Sequence, residues 1–375
     1  MKKIFKRIIA LPILGVAALG LITSCSDWTE QEQLTIDQVT IQEQNPALYA
    51  QYLENLKAYK ESAHQKVLVW FDNSAEKATG RVDNVTALPD SIDLVVMASP
   101  DNLPAWQAQE MAEVREKKGT KFLLSFDFDQ VKLKYDLWKA DVDAANTAAH
   151  AKAIADAAAK SEETGETVEP ESVEEMIIPS FENYLVDTLN VSVSLVDKYN
   201  YNGMVFAYKG KGINLMTDVE KAQYLNYHNL FIGIVNDWVT RQPENVFVFQ
   251  GYPQNLLNKD FLTNASLIVI PCRAVSAESG LTYQAILASV EGVPTDRLAV
   301  QIETTSLDDT DLNTGYWNAG SLESLIGAAE WSASSHDGFT VAGLGIYNVS
   351  NDYYTTGLSY STVRSAINII NPSTK

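Results

Sequence analysis

Eight runs of apolar, β-rich residues recur along this chain at intervals long enough to hold a helix, and that rhythm restricts the fold more than any other feature. The runs are Val67–Phe71, Leu94–Ala98, Phe122–Phe126, Gly203–Tyr208, Val246–Gln250, Leu267–Ile270, Leu298–Ile302 and Gly343–Tyr347. They are near-continuous rather than alternating, which suits parallel strands buried on both faces. Parallel neighbours need a crossover, and the spacing leaves room for a helix each time, as in Pro104–Lys118, Phe181–Tyr199, Val219–Arg241 and Ser321–Ser334. Eight such units predict an α/β fold, a (β/α)8 TIM-type barrel in one large domain. The rival, an open doubly wound sheet, would carry a Gly-rich phosphate loop after an early strand, and none is present.

Two segments lie outside the repeat. Ahead of the first strand, residues 46–64 place Leu48, Tyr52, Leu56 and Tyr59 on one face of an amphipathic helix expected to pack beside the barrel. After the third strand, residues 141–178 form an insertion, with an alanine-rich part expected to be helical and a Thr/Gly/Pro/Glu part expected to be an exposed acidic loop. Its position puts it on the upper face of the barrel, where it could wall a groove.

The N-terminus predicts export. Lys2, Lys3, Lys6 and Arg7 precede the apolar stretch Ile8–Ile22, a charged-then-apolar pattern too short for a comfortable permanent span. Leu21-Ile22-Thr23-Ser24-Cys25 resembles a lipobox, which implies cleavage after residue 24 and lipid on Cys25. The expected division is a signal peptide over 1–24, an acidic tether over 25–45 and a barrel over 46–372. Acidic residues just after Cys25 resemble the surface-export signal of Bacteroidetes lipoproteins, so an outer-membrane, cell-surface location is expected. With Cys25 acylated, Cys272 has no intramolecular partner.

Hydrophobic residues make up 46% of the chain, ample for one large core. Its net charge of −20 would repel phosphate backbones and argues against nucleic acid, while neutral sugars remain compatible partners. No cofactor or metal is expected, since His64, His150, His228 and His336 lack ligand spacing. Asp308, Asp309 and Asp311 read as a solvated acidic loop rather than a calcium site.

A barrel of this kind carries function at the C-terminal ends of its strands. Those positions hold Trp70, Asp72 and Asn73; Asp127 and Asp129; Tyr208 and Lys209; Gln250 and Tyr252; Arg273; Glu303 and Thr304; and Tyr347, Asn348 and Asn351. The loop before the last helix adds Tyr316, Trp317 and Asn318. Sugar rings stack on aromatics while amides and carboxylates bind their hydroxyls, so the predicted glycan contacts are Trp70, Asp127, Tyr208, Lys209, Gln250, Tyr252, Glu303, Trp317, Tyr347 and Asn348. Trp106, Trp138, Trp238 and Trp331 fall in predicted helices or at their ends and are expected in the core.

The segment KYNYNGMVFAYK, Lys198 to Lys209, resembles the fourth strand of glycoside hydrolase family 18, whose signature reads DGxDxDxE. LKAYKESAHQKVLVWFDN, KFLLSFDF and GLGIYNVSND are similar to lipoproteins of the endo-β-N-acetylglucosaminidase-like branch of that family from Bacteroides. In that alignment the acidic positions are taken by Asn202, Val205, Ala207 and Lys209. The resemblance implies that the missing glutamate would protonate the leaving oxygen and the missing aspartate would orient the substrate N-acetyl group. A lysine ammonium is a poor acid at neutral pH and alanine orients nothing. The expectation is a lipid-anchored pseudoenzyme of polysaccharide utilisation that captures N-glycan or related N-acetylglucosamine-containing oligosaccharide, with outer-membrane importer components as expected partners. The alternative is an active glycosidase using relocated carboxylates such as Asp127, Asp129 and Glu303, since two carboxyls ~5–10 Å apart can hydrolyse a glycoside.

Overall fold

The structure, a computed structural model, describes residues 41–372 apart from 102, 319 and 356. Cys25, the signal segment and most of the expected tether lie outside the described residues. The chain divides into two units, Met1–Tyr49 and Ala50–Lys375. The helical turn Ile41–Gln44 lies in the first, and helix α1 (Pro46–Glu61) runs from its end into the second, its start capped by Asn45 Oδ1 accepting the Leu48 N–H at 3.1 Å.

The second unit is the barrel. Strands β1 (Lys66–Phe71), β2 (Leu94–Met97), β3 (Lys121–Asp127), β4 (Gly203–Tyr208), β5 (Val246–Gly251), β6 (Leu267–Pro271), β7 (Leu298–Glu303) and β8 (Val341–Tyr347) are all parallel. They close in the order β1-β8-β7-β6-β5-β4-β3-β2, the predicted (β/α)8 architecture. Helices α2 (Ala105–Lys118), α3 (Phe128–Thr164), α4 (Phe181–Lys198), α5 (Asp218–Arg241), α6 (Glu278–Ala288), α7 (Ser324–Ala333) and α8 (Ser361–Ile370) cover the outside. Two crossovers depart from the expected helix. The β1–β2 link holds only the 3-10 turns Arg81–Asp83 and Val85–Ala87, and the β5–β6 link only Pro253–Asn255 and Asp260–Asn264. Gly80, Pro89, Pro253 and the Asn and Asp around them favour turns over continued helix.

Two apolar layers follow from the closed sheet. Val69, Phe71, Phe122, Phe206, Phe249, Ile270 and Ile302 face outward and pack with helix residues such as Leu185, Phe231 and Trp238. Leu68, Trp70, Val96, Leu123, Val205, Val248, Val269 and Ala299 face inward and fill the interior. Fully burying one such side chain is worth about 1.5–3 kcal/mol, so both faces hold the strands in register.

The insertion differs from expectation in where it starts. Helix α3 begins at Phe128, directly after β3, and runs unbroken for 37 residues, about 55 Å. Asp127 caps it by accepting the Gln130 N–H at 3.0 Å, and Gly165, at φ +71°, ends it. Only Phe128, Val131, Tyr135 and Ala157 are buried, so its outer length rests on alanine, lysine and glutamate propensity. The acidic segment returns alongside it rather than looping free, held by Asn146 to the Met176 backbone and by His150–Glu175. Trp138, expected in the core, is 41% exposed on this helix, and on α1 both Leu48 and Tyr52 are exposed while Leu56 is buried.

Asn202 sits at the opposite end of β4 from the barrel mouth. Its Oδ1 accepts the Phe122 N–H and Arg115 Nε, each at 2.9 Å, joining β3, α2 and β4. Truncation strands both donors, and a buried donor without a partner costs about 1–3 kcal/mol. Asn202→Ala should therefore lower unfolding free energy by that amount in urea titration.

Candidate functional site

Side chains alternate across a strand, so the inward set at the barrel mouth is dictated by the interior layer below it. Leu123 points inward and carries Ser125 and Asp127 with it; Val205 carries Ala207 and, just past the strand, Lys209; Val248 carries Gln250; Ala299 carries Gln301 and Glu303. Gln250 Nε2 donates to Gln301 Oε1 at 3.2 Å across the intervening strand β6.

The same parity moves several predicted contacts away from the mouth. Tyr208 faces the helix layer, is 2% exposed and packs edge-on against Phe128 and His228. Trp317 is 4% exposed, donates Nε1–H to the Val275 carbonyl at 2.9 Å and lies on Gly327, where a Cβ would meet its ring. Trp70 is 7% exposed within the interior layer, where Gly345 leaves room for its ring. These three are core side chains rather than stacking platforms.

A groove of about 640 Å³ opens at the mouth, lined by Lys209, Tyr252, Arg273, Glu303, Asn313 and Tyr316 among others. A hollow of about 1020 Å³, larger still, lies at the other end of the barrel beside His64, Gln65 and Asn371. The mouth is the better site because the inward polar side chains of several strands converge there. Of the predicted contacts, Lys209, Tyr252 and Glu303 line the groove. Tyr316, not its neighbour Trp317, supplies the second aromatic wall: the short antiparallel pair Tyr316–Trp317 with Leu322–Glu323 turns one ring to the groove and the other to the core. Alternation of neighbours was the available signal, and residue size misled it.

Two hydrogen-bonded clusters set the geometry. On the β7–β8 side, Arg273 Nε and Nη2 each reach Glu303 Oε2 at 3.0 Å, and Asn348 Nδ2 reaches Oε1 at 2.8 Å. The Arg273 guanidinium lies 3.8 Å from the Tyr347 ring centroid, so this face of Tyr347 is covered by a cation. Asn348 holds a left-handed backbone at φ 53°, a conformation asparagine tolerates better than most residues. On the β3–β4 side, Asp129 accepts the Lys209 N–H at 2.6 Å and the Gly210 N–H at 3.3 Å, while Asn255 Nδ2 donates to the Lys209 carbonyl at 2.7 Å. Gly210, at φ +59°, must be glycine because a Cβ there would strike the Tyr208 ring. The Lys209 backbone is thus held from both sides and its side chain is exposed.

Asp127, Asp129 and Glu303 each have a hydrogen-bond partner at the mouth. Burial pushes the Asp127 carboxyl up, against the opposing pull of the Gln130 N–H and of Lys209. Asp129 serves two backbone amides and Glu303 serves Arg273 and Asn348. Cys272 faces the helix layer, where burial pushes its thiol up to about 12 and away from nucleophilic use. Asp308 and Asp311 accept hydrogen bonds from their own loop, at Thr310, Asn313 and Thr314.

The sequence profile of glycoside hydrolase family 18, BT1044-like, matches residues 29–369. The chain belongs to that family. Among solved structures, a selenomethionine glutamate-to-glutamine variant of BT1044 shares the fold at TM-score 0.59 and 16% identity, over 88% of this chain and 95% of its own. A putative chitinase A from Streptomyces coelicolor aligns at TM-score 0.48 and 10% identity, over 82% of this chain and 99% of its own. YKL-39, solved with chitooligosaccharides, aligns at 0.48 and 8%, over 82% and 100%. No curated protein matches in sequence. On the inner face of the fourth strand, Ala207 pairs in register with Asp127 on one side and Gln250 on the other.

Trp317 is buried in the core, whereas Tyr252 is only partly buried at its edge, which separates two sizes of effect. Trp317→Ala should cost about 3–5 kcal/mol of stability in chemical denaturation, and Tyr252→Ala, at the edge of the same core, should cost less, about 1 kcal/mol.

His228 gives a pH dependence. It is 1% exposed behind Tyr208, its Nδ1 accepts the Leu257 N–H, and burial pushes its pKa down to about 4. The unfolded chain takes up this proton near pH ~6.5 and the folded one does not until about 4, so this contribution to stability falls as pH drops across that window. His228→Gln should flatten that limb of a plot of melting temperature against pH.

Proposed function

We propose that this family 18 barrel is a lipid-anchored, cell-surface glycan-binding protein that captures N-glycan or related N-acetylglucosamine-containing oligosaccharide without hydrolysing it. The observation that carries the reading is chemical: the inner face of the fourth strand presents Val205, Ala207 and Lys209, so no carboxyl stands where the family's acid and N-acetyl-orienting group belong. What remains at the mouth is a groove with two tyrosines, amides and charged groups, the composition of a sugar site. Lipid on Cys25 would keep captured ligand at the cell, where importer components could take it up.

Calorimetry with N-glycans, chitin oligosaccharides and mannans should show binding to at least one, with no released product by mass spectrometry. Binding to none of them overturns the proposal. Tyr252→Ala should weaken binding about tenfold, or about 1.4 kcal/mol. Ala207→Asp with Lys209→Glu rebuilds acids at two inward positions while leaving the fully buried Val205 in place, since a charge there would be costly. Cleavage regained by that double variant would show that the groove still seats a substrate.

One observation favours a second, hydrolytic reading. Asp127 sits inward beside Ala207 with its carboxyl pushed up by burial, as a general acid requires. Under that reading the parent chain releases glycan from a glycoprotein and Asp127→Asn abolishes it.

A further inference from the structure

Resting on the groove reading above, we propose that the bound glycan is acidic, with a carboxylate or sulfate group received between Lys209 and Arg273. The chain has 48 acidic residues against 28 basic ones, yet the charged residues lining the groove are Lys209 and Arg273 against Glu303 alone. Glu303 is already matched, with one oxygen on Arg273 and the other on Asn348.

Arg273 is oriented rather than consumed. Its Nε and Nη2 face Glu303, its plane is held against Tyr347, and among the described residues its Nη1 donates to no protein group. Lys209 enters no ion pair among the described residues, and its backbone is fixed by Asp129 and Asn255 so that the side chain is delivered to the groove. The nearby acids do not line the groove: Asp127 caps α3 from a site where burial favours its neutral form, and Asp129 is turned to two backbone amides.

A planar guanidinium with a free edge and a compact ammonium together suit an oxyanion. Tyr252, Tyr316 and Asn313 are then left to hold ring faces and hydroxyls. A neutral sugar would leave Lys209 without a counter-charge and the outer edge of the Arg273 guanidinium, beyond its pair with Glu303, without an acceptor. Because the rest of the chain repels anions, this recognition is local and depends on these two side chains.

The test uses the full chain in detergent and matched ligand pairs, read by calorimetry: sialylated against desialylated N-glycan for carboxylate, and sulfated against unsulfated N-acetylglucosamine oligosaccharide for sulfate. The acidic member of at least one pair should bind about tenfold tighter, and which pair responds identifies the anion. Lys209→Gln should remove most of that preference, and Lys209→Arg should retain it; the exposed position makes both variants tolerable to the fold. Equal affinity within both pairs, or an equal loss for both members in Lys209→Gln, overturns this inference and leaves the glycan-binding reading standing. Binding to no glycan of either kind overturns both.

Discussion

Closure of the parallel sheet with both of its faces buried is the constraint on which the rest of this structure depends. Once Leu68, Val96, Val205, Val248 and Ala299 fill the interior, the two-residue period of each strand leaves no freedom in what reaches the mouth. Lys209 is delivered to the groove because Val205 points inward. Tyr208 is withdrawn into the helix layer for the same reason, although it is the larger and more sugar-like neighbour.

Acidic residues at the mouth serve as structural acceptors. Asp127 starts a helix, Asp129 closes the turn after the fourth strand, and Glu303 anchors the guanidinium that covers Tyr347. Each task uses the carboxylate as a hydrogen-bond acceptor. At Asp127, burial pushes the carboxyl upward against the pull of the cap. Lys209 and Arg273 line the groove among these committed carboxylates.

The eight strands and most of the helices were legible from apolar runs and spacing, because burial on two faces leaves an unmistakable pattern. The crossovers without α-helices were not, since Gly80, Pro89 and Pro253 act locally and spacing alone cannot register them. The start of α3 was hidden for a related reason. Asp127 and Phe128 belong at once to a strand end and a helix start, so the inserted segment looked as if it began at residue 141 when its helix had already run for three turns. Within the site, Lys209, Tyr252 and Glu303 were identified from strand-end position, while Trp70, Tyr208 and Trp317 were chosen for their aromatic rings and proved to be packed in the core.

From the sequence by itself came the barrel, the order of its elements and the family resemblance, because periodicity and residue identity are properties of the chain alone. The tertiary structure decided which of two adjacent aromatics faces the groove, which carboxylates are committed to backbone amides and which cations stand together. Those outcomes depend on parity set by the interior layer and on partners distant in sequence, such as Asp129 with Lys209 and Arg273 with Glu303.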